Sequence, residues 1–273
     1  MSHTPFLRLM PMLIPAGITF IAFFLLPMVK LAVVGATGDA GLAAYASILT
    51  TPRHWESLIA TLILSISVTA VALMISTLAG LFLVRNLFPG REVLVAMLTF
   101  PLAFPGVVIG FLVILLGGRQ GLVGEISQAL TGDKVVFAYS MTGLFIGYLY
   151  FSIPRVILTI MAAAEKLDPA LEEAARSLGA STWRVLVDVI LPALKPGLIA
   201  SGAICFATSM GAFGTAFTLA TQIDVLPMTI YTEFTLNANI AGAATLSIVL
   251  GLVTWLALFV ARSLSGATVA ASG

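Results

Sequence analysis

Charge is what this sequence has least of. Asp, Glu, Lys and Arg make up 9% of its 273 residues, while 60% are hydrophobic. Soluble domains carry about 25% charged residues, so a globule of this composition has too few polar side chains to cover its surface. Its place is a bilayer. Net charge is +1, which removes any overall electrostatic case for nucleic acid or an acidic partner. The single cysteine, Cys205, excludes an internal disulfide and lies in an apolar run, as a packing residue does. His3 and His54 stand far apart, without Cys or acidic partners at ligand spacing, so a metal site has little support. No G-x-x-x-x-G-K-[ST] phosphate loop occurs, nor a G-x-S-x-G elbow or an H-E-x-x-H pair. An enzyme reading is weak, and the chain has no means of binding ATP through such a loop.

Long apolar runs are what the chain does have. Arg8 precedes an apolar stretch from Met10 to about Val29. That exceeds the apolar core of about 7–15 residues in a secretory signal and suits a retained first span. Six spans are predicted, at about 10–34, 57–84, 93–117, 138–160, 194–220 and 240–261. The fourth is read as interrupted near its end by Pro154 and Arg155. One domain, 1–273, contains them all, with no linker or charge block. Small residues recur at close-packing spacing, Gly106-x-x-x-Gly110 in the third span and Ala243, Ser247 and Gly251 in the sixth. In lipid they let helices approach closely, within the subunit or at a dimer seam.

An even number of spans puts both termini on one side. That side holds Arg8, Arg85, Arg91, Arg155, Lys166, Arg176, Arg184, Lys195 and Arg262, and the other holds Lys30, Arg53, Arg119 and Lys134. Nine against four predicts cytoplasmic termini.

The charged exception is "DPALEEAARSLGASTWRVLVDVILP", residues 168–192. Asp168 followed by Pro169 is a helix start signal, and Glu172 and Glu173 are expected in the first turn, where the helix dipole favours acids. Leu171, Ala174, Ala175 and Leu178 make one apolar stripe. Gly179 stands where a helix ends in a left-handed turn. A second helix is expected from Ser181, carrying Trp183, Leu186, Val187 and Ile190, until Pro192 interrupts it. A helix lying on the membrane interface explains the stripe but not the order of the residues.

That order is Glu173-Ala174-Ala175, three residues, Gly179, nine residues, Val189, one residue, Leu191-Pro192. It resembles the EAA motif of bacterial binding-protein-dependent ABC importer permeases, with valine where that family usually has isoleucine. Six spans, the motif before the fifth and "MTIYTEF" before the last extend the resemblance over nearly the whole chain. It implies an all-α integral membrane bundle of six transmembrane helices with a cytoplasmic coupling helix, the coupling loop at about 161–193. Glu173, Ala174, Ala175 and Gly179 are the matched ATPase-coupling positions. It also implies the partners: two ABC ATPase subunits, a second permease subunit of a different chain and a periplasmic solute-binding protein, in the bacterial inner membrane. ATP and Mg would belong to the ATPase subunits, with no cofactor in this chain. "EKLDPALEEAARSLGAS" looks most like the polyamine, iron and phosphonate group, which implies a small polar solute of that kind.

The rival reading is an ion-coupled secondary transporter. Such carriers place ionisable groups inside the membrane, whereas all twelve carboxylates here read as loop or span-edge residues. Sodium coupling through backbone carbonyls escapes that argument. The fifth span holds Ser201, Thr208, Ser209 and Thr215, and "SMGAFG" at 209–214. Such hydroxyls bond their own helix or, beside a broken helix, line a cavity. In the family resembled, the fifth span and the segment after it help form the pathway, which makes Ser209, Gly211 and Thr215 candidate pathway positions. The stretch 221–239 is too polar for a span and is interrupted by Pro227. It reads as a periplasmic loop or a short re-entrant element, with Asp224 and Glu233 facing water or attracting a cation.

Overall fold

The structure, a computed structural model, describes residues 14–38, 41–219 and 223–265. Arg8, Asp39 and the first residues of the first predicted span lie outside the described residues. In hydrocarbon every backbone polar group must be satisfied within the segment, which leaves helices or closed barrels. All the regular elements described are helical. They are α1 (Ile14–Gly35), α2 (Pro52–Arg85), α3 (Arg91–Thr99), α4 (Gly106–Gly117), α5 (Leu122–Thr131), α6 (Met141–Ala164), α7 (Pro169–Ser177), α8 (Thr182–Met210), α9 (Gly214–Leu219), α10 (Leu226–Thr235) and α11 (Ile240–Ser265).

Six stretches are long and apolar enough to cross a bilayer: α1, α2, the run Gly106–Thr131, α6, α8 and α11. The count of six stands, but three predicted spans differ in form. Length and apolarity alone put the third crossing at Gly106–Thr131; packing puts it earlier. Arg91 Nε donates to Leu83 C=O, so α3 starts level with the end of α2. Gly117 C=O accepts from the N–H groups of Phe137 and Ala138, so α4 ends where α6 is about to begin. The crossing is therefore residues 91–117, broken by a 3-10 turn at Phe100–Ala103 and by Phe104 and Pro105, and α5 lies beyond it.

In the fourth, Pro154 makes no interruption: α6 runs through it and continues a few residues past the predicted end, to Ala164. The fifth is not one helix over 194–220. It starts at Thr182, runs through Pro192 and stops at Met210, and α9 follows a three-residue break. Proline at 192 fails to interrupt because Val185–Ile190 widens into a π-helical turn, in which Leu191 N–H reaches back to Leu186 C=O. The missing N–H of Pro192 then falls in a stretch where the ordinary ladder is already broken.

The centre of the bundle is the pair α2 and α6, with α8 packed on both; α11 lies on α8, and α1 and α10 lie on α11. Leu64, Val68 and Ala72 of α2, Leu144, Tyr148 and Ile160 of α6, Cys205 of α8 and Ala216 of α9 form one buried cluster. Cys205 is thus a core residue. Between α1 and α2 a short apolar stretch, Gly41–Thr50, returns the chain.

Of the small residues in the third span, Gly106 and Gly110 both serve contact within the subunit. A Cβ on Gly110 would lie 2.5 Å from Thr218 Cβ on α9. A Cβ on Gly251 of α11 would meet nothing within 4 Å. Gly110→Ala is expected to destabilise the purified protein by roughly 1–3 kcal/mol through overpacking, read as a lower thermal midpoint in detergent. Gly251→Ala, with open space for its Cβ in the middle of α11, should be neutral or more stable by up to about 1 kcal/mol. Equal midpoints for the two variants would contradict the α4–α9 contact.

Candidate functional site: a pathway cavity and an exposed helical turn

The charged stretch folds largely as its local signals direct. Asp168 caps α7, its Oδ1 accepting from Ala170 N–H at 2.9 Å, and Pro169 takes the first helical position. Glu172 lies in the first turn, whereas Glu173 falls one residue beyond it. At the far end Gly179 adopts φ +84°. Its N–H bonds Arg176 C=O, and Ala180 N–H bonds Ala175 C=O at 3.1 Å, the two bonds of a Schellman turn. Ser181 then starts α8, its Oγ accepting from Arg184 N–H.

The four matched residues occupy different surroundings. Ala175 packs with Leu81 of α2, Ala164 of α6 and Val185 and Ile190 of α8. Glu173, Ala174 and Gly179 are exposed. The predicted stripe is split in the same way, because Leu171 and Leu178 face outward, Leu178 at 89% exposure, and Trp183 at the start of α8 is 71% exposed. Arg85, in the last turn of α2, is hydrogen-bonded and ion-paired to Glu172. The element is thus anchored on one face and bare on the other.

The three candidate pathway residues do not form one group. Gly211 and Thr215 line a cavity of about 300 Å³ together with Pro101 and Gly106 of the third crossing, Arg155 of α6 and Thr208 of α8. Ser209 is fully buried and does not line it, and its Oγ has no hydrogen-bond partner among the described residues. The hydroxyls divide between the two expected uses. Ser201 and Thr208 bond their own helix, to Gly197 C=O at 2.8 Å and Ile204 C=O at 2.6 Å. Thr215 Oγ1 instead donates across to Gly106 C=O at 2.9 Å.

Arg155 is the residue that the positive-charge count misplaced. It sits nine residues inside the end of α6, ~14 Å along the axis from Ala164, so it belongs to neither loop. The asymmetry becomes eight against four. Its Nη1 donates to Thr208 Oγ1 at 3.1 Å. Among the described residues no carboxylate lines the cavity or pairs with it. An arginine at the centre of a membrane helix costs about 2.5–3.5 kcal/mol on insertion scales, and the same rule offered the signal in sequence: a cation nine residues from the end of an apolar run.

The stretch after α9 is also more ordered than a loop. Leu226 is fully buried, and its N–H donates to Thr61 Oγ1 at 2.8 Å, well inside α2. Pro227 stands in the first turn of α10 and starts that helix instead of interrupting it. α10 is therefore a short inserted element. Glu233 accepts from Asn237 and Asn239, and Asp224 lies 3.6 Å from Arg53. Both acids have local partners.

Helices broken inside an apolar bundle, beside a cavity with a few polar groups in its wall, are the arrangement of membrane transport proteins. The chain belongs to the family described as binding-protein-dependent transport system inner membrane component, whose model matches residues 72–268. It is a permease subunit of an ABC importer. It is 36% identical over 210 residues to the molybdenum transport system permease protein ModB of Escherichia coli (strain K12), covering 74% of this chain and 89% of that one. It is 30% identical over 245 residues to the putative 2-aminoethylphosphonate transport system permease protein PhnU of Salmonella typhimurium, covering 88% and 85%. In fold it is similar to a chain of a bacterial alginate ABC transporter crystallised with its alginate-bound periplasmic protein, with a TM-score of 0.78 at 20% identity over 95% of this chain and 94% of that one.

The turn at Gly179 supplies a local test. A Cβ there would meet nothing within 4 Å, so the cost of Gly179→Val is backbone strain, about 1–2 kcal/mol for a left-handed residue. The amides of Gly179 and Ala180 should exchange faster with deuterium in Gly179→Val and near wild type in Gly179→Asn, since asparagine tolerates this region. Unchanged exchange in the valine variant would show that no left-handed turn exists.

Proposed function

We propose that this permease carries a small tetrahedral oxyanion, or a solute with such a head group, and is driven by a separate ATPase docked on the exposed face of α7 and the Gly179 turn. The observation behind the docking is the bare side of that element: Leu171, Glu173, Ala174, Leu178 and Trp183 are all exposed while Ala175 and Glu172 hold it to the bundle. A helix that kept this stripe for its own subunit would bury it. Large apolar and aromatic side chains rimmed by charge are what a protein interface uses. In this reading that end of the bundle, both termini included, is cytoplasmic, as eight cations against four favour. ATP and Mg are bound by two ATPase subunits, a second permease chain closes the pathway, and a periplasmic protein delivers the solute.

The solute class rests on the two relatives, one named for molybdenum and one for 2-aminoethylphosphonate. Molybdenum in its soluble form, molybdate, and a phosphonate share a tetrahedral anionic centre. Neither relative is named for a polyamine, so the expectation of a polyamine-like solute finds no support, and an unpaired arginine in the cavity argues against a cationic one. The secondary-transporter reading gains nothing from the structure either, since no carboxylate among the described residues lines the cavity.

The test is uptake by the assembled transporter in proteoliposomes with radiolabelled molybdate, sulfate and 2-aminoethylphosphonate. Uptake should require ATP and survive collapse of ion gradients. Glu173→Lys and Leu178→Asp should insert normally yet weaken copurification of the ATPase by about tenfold or more, the effect of losing an interface hot spot, and lose uptake with it. Full association and uptake in both variants would remove α7 as the docking element. Uptake driven by an ion gradient without ATP would remove the importer mechanism.

A further inference from the structure

We infer that Arg155 makes the cavity between the third crossing, α6 and the α8–α9 break an anion-selective step of the pathway, with Thr208 holding the guanidinium in place. The inference uses the importer reading for its setting, but not the identity of the solute.

Three observations carry it. A guanidinium has five N–H donors in a rigid fork, and the described residues supply an acceptor for it at Thr208 alone. Thr208 is itself fixed. Its hydroxyl proton goes to Ile204 C=O, which leaves an oxygen lone pair facing Arg155. The remaining donors have no acceptor among the described residues. Second, the residue is part-exposed in the single chain, so this face meets either lipid or the interior of the assembly. Intramembrane cations without acid partners face a water-filled or protein interior, which makes this the pathway side. Third, Gly106 lines the same cavity as the first residue of α4, a twelve-residue helix with no side-chain cap. Its leading N–H groups and the positive end of its dipole add to the field of Arg155. A volume of about 300 Å³ is at the low end of the range for small-molecule sites, which suits a compact anion in transit.

The arrangement suits passage better than storage. One arginine, one threonine and a helix end attract an anion; they do not enclose it. A guanidinium matches an oxyanion in two parallel hydrogen bonds, and with so few partners the anion can also leave.

A thiol probe tests the field without knowing the solute. Gly211→Cys places a thiol on the cavity wall where a Cβ meets only Ala207 C=O, at 3.8 Å. The native Cys205 is 1% exposed and stays out of reach. In the assembled transporter in membranes, an anionic sulfonatoethyl thiosulfonate should modify that thiol faster, relative to its cationic trimethylammonium counterpart, than it does when Arg155→Met is also present. The expected change in the ratio is about tenfold, the lower end of electrostatic focusing in a cleft. Arg155→Lys should restore most of the ratio, which a merely structural role would not produce. An unchanged ratio overturns the inference. So does a thiol unreactive to both reagents in every nucleotide state, because the cavity would then be dry. Oxyanion uptake is read in the same membranes. If the ratio falls in Arg155→Met while wild type carries none of molybdate, sulfate or 2-aminoethylphosphonate, the anion-selective cavity stands and the proposed solute class fails. If wild type carries one of them and Arg155→Met carries it equally well with the ratio unchanged, the solute class stands and the role of Arg155 fails.

Discussion

A backbone N–H or C=O left open in hydrocarbon costs several kcal/mol, yet this chain starts or stops helices at several depths inside its bundle. Hydroxyl groups meet the cost. Tyr148 donates to Ala212 C=O just after α8 stops, Thr215 donates to Gly106 C=O where α4 starts, and Thr61 accepts from Leu226 N–H where α10 starts. Thr245 of α11 donates to Gly35 C=O at the end of α1. All four side chains are buried, none more than 1% exposed. Without them the breaks would be sites of water entry or local unfolding. With them, the third crossing and the α8–α9 junction are held against each other at one level, and the cavity lies beside that junction.

Ion pairs contribute little to this architecture. Arg53 and Asp224 are both more than half exposed, and such pairs are worth about 0–1 kcal/mol. The Arg85–Glu172 pair is more sheltered and has a positional use, since it fixes the first turn of α7 against the end of α2. Apolar burial between α2, α6 and α8 and the crossing hydroxyls carry the fold.

How far the sequence could be read depended on whether a signal was local. Asp168-Pro169, Gly179 and Ser181 act on their own neighbours, through a cap, a left-handed turn and a second cap, and each is found where expected. Glu173-Ala174-Ala175 was legible as a pattern, though nothing in its spacing says that Ala175 turns inward while Ala174 faces out; that division is made by Val185 and Ile190, reached only after the chain has reversed. Proline was the misleading residue. Pro154, Pro192 and Pro227 were each read as interruptions, and all three lie within helices: a π turn precedes Pro192 and Pro227 stands in a first turn, so neither needs the missing N–H, while Pro154 is carried in the interior of α6. Arg155 was misplaced for a related reason. Beside Pro154, near the end of the predicted span, it was counted with the loop cations, whereas it lies nine residues inside the end of α6. Thr215 and Gly211 were found through hydroxyl and glycine content beside a suspected break, while Ser209 carried the same signal and faces the core instead.

The two candidate regions are joined by the two helices that carry the cavity's polar contact. α6 holds Arg155 and ends at Ala164, and α8 starts at Thr182 and holds Thr208 near its other end. Ala164, Ala175, Val185, Ile190 and Leu194 form a single cluster, so α7 is clamped to one end of both. The soft features of α8, its π turn at Val185–Ile190 and Pro196, lie near that clamp and not near the cavity. From Gly197 to Thr208 the helix is unbroken, a rod of ~17 Å. Under the proposed docking, a displacement of α7 is absorbed or redirected in the first turns of α8 and then delivered whole to Thr208, while α6 delivers its share to Arg155. The hydrogen bond between those two residues bridges the separate helices, so relative sliding of α6 and α8 strains it, and the number of arginine donors turned toward the cavity changes with it.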